Sequence, residues 1–212
     1  MTAGRAILGI GAAWYEIEHN GLGVLYPSDG ERLDRLEEAV QICRGMFRQE
    51  CSSFRGRYYQ TEDAWNVPQP VQPGGPPILI GGGGEKRTLR AVARYADMCN
   101  ITGDFETIRH KVSVLHEHCA SEDRDPKDVT VTRLSTLVLT DSDEETNATN
   151  EFLRAAVGEG SGFNVGGEEE VTRQIEELHE AGVDYFIFNM PTSGVDAVRR
   201  AGELFSSRFA TS

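Results

Sequence analysis

Five short apolar runs, each followed by a stretch of helical periodicity, constrain this chain more than anything else in its sequence. The runs are residues 6–11 (AILGIG), 78–80 (ILI), 96–101 (ADMCNI), 129–139 (VTVTRLSTLVL) and 183–188 (VDYFIF). Between them, apolar side chains recur at three- and four-residue steps. One such stripe is Leu33, Leu36, Val40, Cys43 and Phe47; a second is Phe105, Ile108, Val112, Leu115 and Cys119; a third is Val171, Ile175 and Leu178. That spacing puts each set on one face of an amphipathic helix. Further helices are expected over residues 85–95, from about Asp141 onward, and over 195–205. Strands that alternate with helices cannot be joined by hairpins, so the order predicts parallel strands with helical crossovers, an α/β fold.

At 212 residues the chain suits one domain, residues 1–212, with an excursion at 48–77. The excursion is rich in aromatic, polar and proline residues and is expected to hold a short hairpin around Gly56. A hydrophobic share of 39% against 26% charged residues describes a globular chain. The net charge of −13 argues against nucleic acid, which needs clustered Lys and Arg. No apolar run is long enough to span a bilayer and no secretory pattern opens the chain, so a cytoplasmic protein is expected. Cys43, Cys51, Cys99 and Cys119 form no C-x-x-C pair and are expected to be reduced, structural thiols.

In parallel α/β folds ligands gather at the C-terminal ends of strands, and three such ends stand out. The run 78–80 leads into four glycines, Gly81 to Gly84, and then Glu85-Lys86-Arg87-Thr88. Glycine lets the backbone approach an anion closely, and a following helix offers unpaired N–H groups, so this turn is a candidate phosphate cradle. Lys86, Arg87 and the Thr88 hydroxyl stand in position to add to it. The second end is Gly9-Ile10-Gly11-Ala12-Ala13-Trp14-Tyr15, where small residues clear space for a planar ring. Trp14 either walls that space or anchors the loop in the core. Glu16, Glu18 and His19 are expected to be a solvated loop. At the third end Asp97 is expected to be structural, and Asn100 or Thr102 either reaches a ligand or caps a helix starting near Asp104. Tyr185 and Asn189 are weaker candidates. No nucleophile or metal motif appears, and a bound cofactor carrying the reactivity would explain that gap.

The segment Leu8-Gly9-Ile10-Gly11-Ala12-Ala13-Trp14-Tyr15-Glu16-Ile17-Glu18-His19 resembles the fourth-strand signature of the luciferase-like monooxygenase superfamily, most closely the branch that uses the deazaflavin coenzyme F420. Arg32-Leu33 through Leu36-Glu37-Glu38-Ala39, Phe54-Arg55-Gly56-Arg57-Tyr58-Tyr59, Pro68-Gln69-Pro70, Pro76-Pro77-Ile78-Leu79-Ile80-Gly81-Gly82-Gly83-Gly84, Arg94-Tyr95-Ala96-Asp97 and Ala181-Gly182-Val183-Asp184 agree with it in order. The resemblance implies a (β/α)8 TIM-type barrel with coenzyme F420, or alternatively FMN, at its C-terminal face. The cofactor phosphate is then expected on Gly82, Gly83, Gly84 and Thr88, and the ring near Gly11, Ala12, Ala13 and Trp14. The implied activity is hydride transfer to or from a small organic substrate, with an FMN-dependent monooxygenase as the alternative. The family's barrel begins about three β/α units earlier, so this chain is expected to be an incomplete barrel, strands four to eight with their helices. The resemblance puts the catalytic acid or base in the preceding part, and none is assigned. Open strand edges favour a homo-oligomer. A non-catalytic half-barrel acting as a binding module is the reading from another class.

Overall fold

The computed structural model describes residues 2–157, 162–190 and 194–209. Backbone contacts group the chain into two units, residues 1–100 with 114–130, and residues 101–113 with 131–212. The first unit holds β1 (Leu8–Ile10), α1 (Glu16–Leu22), α2 (Asp29–Arg48), β2 (Cys51–Arg55), β3 (Gln60–Trp65), β4 (Ile78–Gly81), α3 (Thr88–Tyr95) and β5 (Met98–Asn100). The second holds β6 (Thr130–Leu139) from Val131 onward, then α5 (Asp143–Val157), β7 (Phe163–Gly166), α6 (Glu168–Glu180), β8 (Tyr185–Asn189) and α7 (Val195–Phe209). Helix α4 (Phe105–Ser121) contributes residues to both.

In the first unit β1, β4 and β5 are parallel, with Ile10 opposite Ile80 and Ile80 opposite Cys99. Ile78 and Ile80 are buried in the core, as are Leu36 and Val40 of α2 and Leu89 and Val92 of α3, all at most 4% exposed. Each such side chain contributes about 1.5–3 kcal/mol by leaving water. Helix α2 starts where the Ser28 hydroxyl accepts the Glu31 N–H at 3.4 Å. Ser28-Asp29-Gly30-Glu31 has the S-x-x-E form of a capping box, but only half of one forms, because the Glu31 carboxylate pairs with Arg35. The hairpin expected around Gly56 is present: β2 and β3 pair antiparallel, with Arg55 opposite Gln60.

One device recurs in both units. The Asp97 N–H donates to the Ile78 carbonyl, and its carboxylate accepts the Ile78 N–H, each at 2.9 Å. Asp184 holds Val131 in the same two-way grip, at 2.8 Å in each direction. An aspartate at the foot of one strand thus closes the hydrogen bonding at the foot of its neighbour. The structural role expected of Asp97 is this grip, with Arg44 also 3.4 Å from its carboxylate.

In the second unit β6 pairs in parallel with β8 over Thr132–Thr136 and with β7 over Thr136–Leu139. Leu137, Val171, Ile175 and Ala201 form its core, flanked by Phe186, Phe188 and Phe205. Strand β7 was not expected from the sequence, since four residues carry too little periodicity to read. The last strand runs from Tyr185 rather than Val183, because Asp184 is committed to Val131. Helix α3 begins at Thr88 rather than Glu85, because residues 85–87 complete the turn from the glycines. The Glu16–His19 stretch is a helix and not a loop; acidic residues lie in its first turn, and Gly23 at φ 67° ends it in the left-handed conformation.

Candidate functional site

The parallel register lines up the C-terminal ends of three strands. Ile10 stands opposite Ile80 and Gly81 opposite Asn100, which sets Gly11 beside Gly81. A Cβ built on Gly11 would lie 3.6 Å from the Gly81 carbonyl. The two glycine-bearing ends picked out in the sequence are therefore neighbours on one sheet edge.

Beyond Gly81 the backbone turns at Gly82, whose φ of 120° lies where L side chains are strained. The Gly82 N–H donates to the Asn100 carbonyl at 3.1 Å, so it is committed to the sheet and not to a ligand. A Cβ on Gly84 would come to 2.8 Å from the Thr88 hydroxyl, and one on Gly82 to 3.4 Å from its methyl. Gly82, Gly84 and Thr88 thus form one close-packed corner, which a side chain would fill. The corner leads into α3, whose N-terminus has no side-chain cap. The first N–H groups of a helix have no partner within it, and an anion satisfies them; here the Leu89 N–H already donates to the Gly84 carbonyl at 3.0 Å. Arg87 does not join this corner as the sequence suggested. Its guanidinium turns to α2, 2.6 Å from Asp34 and 3.1 Å from Glu37, and donates to the Gly30 carbonyl at 3.0 Å. At the third strand end Asp104, rather than Asn100 or Thr102, caps the helix, accepting the Thr107 N–H at 2.9 Å.

At the end of β1 lies a pocket of about 360 Å³. Gly11, Ala12 and Ala13 form its floor, Leu25, Pro27 and Leu36 an apolar side, and His19, Arg32, Arg35 and Tyr59 its polar groups. Ala13 adopts φ 63°, a left-handed conformation that costs a non-glycine residue about 1–2 kcal/mol. Strain of this kind persists where surroundings hold it. Arg32 supplies that hold: Nε donates to the Ala12 carbonyl at 3.1 Å, Nη1 to Pro27 at 2.5 Å, and Nη2 pairs with Asp29 at 2.7 Å. The His19 ring Nδ1 lies 3.0 Å from the Tyr15 carbonyl and packs edge-on to Tyr26. Arg35 pairs with Glu31 and stacks 4.8 Å over Tyr58; Glu31, then Tyr59, keep its guanidinium charged.

Trp14 is 83% exposed, with its ring 5.2 Å from that of Tyr15, so it does not anchor the loop in the core. Nor does it line the pocket. Sequence reasoning gave no role to Arg32, Arg35 or Tyr59, although Arg32 and Tyr59 lie in stretches that resemble the family, and Arg32 follows just after the Ser28 cap. Among the described residues no group of His, Cys, Asp or Glu could hold a metal ion, and no helix is long and apolar enough to cross a membrane.

A model of the luciferase-like monooxygenase family matches residues 1–164. The chain belongs to that family. Among curated members, the F420-dependent glucose-6-phosphate dehydrogenase of Kineococcus radiotolerans is 38% identical over 96 residues, which is 45% of this chain and 26% of that protein. The FMNH(2)-dependent dimethylsulfone monooxygenase of Pseudomonas fluorescens is 27% identical over 122 residues, 57% of this chain and 33% of that one. The chain thus matches about a third or less of either relative's length. Solved structures agree on the fold. An F420-dependent secondary alcohol dehydrogenase in complex with an F420-acetone adduct superposes with a TM-score of 0.76 at 19% identity, covering 96% of this chain and 68% of the other. The coenzyme F420-dependent tetrahydromethanopterin reductase of Methanopyrus kandleri gives 0.74 at 17%, covering 96% and 73%. The incomplete (β/α)8-type fold expected from the sequence is the fold these likenesses show. The family's relatives are oxidoreductases that work with a deazaflavin or a flavin.

Proposed function

We propose that this chain supplies the cofactor face of a coenzyme F420-dependent oxidoreductase that transfers hydride to or from a small organic substrate. The observation that carries this reading is the side-by-side placement of Gly11 and Gly81 on one strand edge, with the cleared Ala12–Ala13 turn on one side and the Gly82–Gly84–Thr88 corner on the other. A ring-and-phosphate cofactor needs two such places close together. The uncapped start of α3 and the corner that a Cβ would fill fit a phosphate; the Gly11, Ala12 and Ala13 floor fits a planar ring. In this reading Gly83, Gly84 and Thr88 hold the phosphate, and Gly82 shapes the turn without giving its N–H. Arg32 holds the strained Ala13 turn in place from behind. The cofactor supplies the hydride-carrying chemistry, and the chain supplies binding and orientation. The deazaflavin is favoured by the 38% identity to F420-dependent relatives.

FMN is the second reading, favoured by the relatives that use reduced FMN. Titrating this chain separately with coenzyme F420 and FMN, and following the fluorescence of each, separates the two. Tighter binding of coenzyme F420 supports the proposal; tighter binding of FMN replaces it with the monooxygenase reading; binding of neither refutes both. Association into homo-oligomers belongs to the same reading, supported by the exposed Ile17, Leu22, Val24 and Leu25 beside the pocket.

A further inference from the structure

One carboxylate holds the hairpin turn that carries Tyr59. The successive N–H groups of Arg57, Tyr58 and Tyr59 converge on Glu38 of α2, at 2.7 Å to Oε1 and twice 2.9 Å to Oε2. Gly56 completes the fit, since a Cβ there would collide with the Glu38 carboxylate and the Phe54 ring. Hydrogen bonds to an ionised acceptor are the strong ones, and three on one carboxylate orient a turn more tightly than the packing of a partly exposed ring. Tyr59 is 37% exposed, yet it lines the pocket at the end of β1, and Arg35 lies over both Tyr58 and Tyr59.

We propose that Glu38 is a positioning residue for that pocket: by gathering the amides of residues 57–59 it sets Tyr59 and Arg35 as the pocket wall, and so sets the pocket's fit to its ligand. The proposal rests on the reading of this pocket as the cofactor-ring site. The charged and titratable groups around Glu38 are Asp34 and Arg35 on α2 and Arg57, Tyr58 and Tyr59 on the turn; Glu31 acts through Arg35. Burial pushes the Glu38 carboxyl up, but the N–H groups of Tyr58, Tyr59 and Arg57 outweigh it, and the carboxyl titrates below its usual range. A lowered carboxyl pKa means that the latch is fully made above the ordinary glutamate range and is lost as pH falls through the lowered value.

The test uses Glu38→Gln and Gly56→Ala, singly and together, with two readouts. Glutamine keeps one acceptor oxygen and sets an NH2 where the other stood, so at least one of the three amides loses its partner, whereas Gly56→Ala crowds the same contact without changing any charge. Hydrogen exchange at the amides of 57–59 is expected to speed up about tenfold or more in each variant. Affinity for coenzyme F420 or FMN is expected to weaken about fivefold or more, with the double variant no worse than the poorer single one. Wild-type affinity should fall on acidification more steeply than that of Glu38→Gln, since protonation of the ligand phosphate and of His19 acts on both proteins alike. Unchanged exchange in a folded Glu38→Gln protein, faster exchange with unchanged affinity, or additive losses in the double variant would each overturn the proposal. A wild-type chain that binds neither cofactor sinks the site reading instead, and the exchange data still decide whether Glu38 holds the turn.

Discussion

Replacing Asp97 with alanine tests the architecture beneath the site. The Ile78 N–H is buried, with its residue 1% exposed, and its acceptor is the Asp97 carboxylate at 2.9 Å. Truncation leaves that donor without a partner in the core. An orphaned buried N–H costs about 1–3 kcal/mol, with bonds to a charged acceptor at the upper end. The Arg44 contact, at 3.4 Å and partly exposed, adds little. The expected loss is therefore about 2–3 kcal/mol, or about 4–10 °C in melting temperature for a chain of this size. Asp97→Asn is the control: its amide oxygen still accepts the N–H, so it should lose about 1 kcal/mol or less. Urea and thermal unfolding followed by circular dichroism measure both. Asp184→Ala should match Asp97→Ala, because Asp184 grips Val131 in the same way. If Asp97→Ala unfolds within about 0.5 kcal/mol of the wild type, the two-way grip is not what closes the foot of β4, and the reasoning fails.

Three further outcomes are expected. Gly83→Val should weaken binding of coenzyme F420 or FMN with little change in melting temperature, because a β-branched side chain blocks approach of a phosphate to the backbone; equal affinity in a titration removes the phosphate assignment. Trp14→Ala should leave the melting temperature within about 2 °C, since an exposed ring anchors nothing; a large drop in stability would contradict the 83% exposure on which this rests. The Cys43 and Cys119 thiols are pushed up by burial, so at mildly alkaline pH they hold less thiolate; in the native chain a thiol reagent should modify Cys51 before either, and equal rates would count against the packing described.

The sequence by itself determined the class of fold and marked the strand ends that are candidates for a ligand. Apolar stripes at helical spacing and short apolar runs are local patterns, and burial is their direct consequence, so Leu36, Val40, Ile78, Ile80 and Val171 were legible as core. The glycines at 81–84 were legible as a candidate corner because so many in a row are more than a turn alone needs. Weak local signals were not: α1 has no buried residue and β7 has four residues, so neither leaves a pattern to count. What only the tertiary structure decided is which long side chains meet which partners. Arg87 was placed by sequence in the first turn of a phosphate cradle, but it lies against Asp34 and Glu37, some fifty residues away in the chain. Trp14 had two readings until its exposure excluded one. Arg32 behind the Ala12–Ala13 turn and Glu38 beneath the hairpin lie in a stretch that resembles the family, but the sequence gives neither of them a role. Their roles come from charges brought opposite backbone groups by the packing of α2, and a linear sequence does not record that proximity.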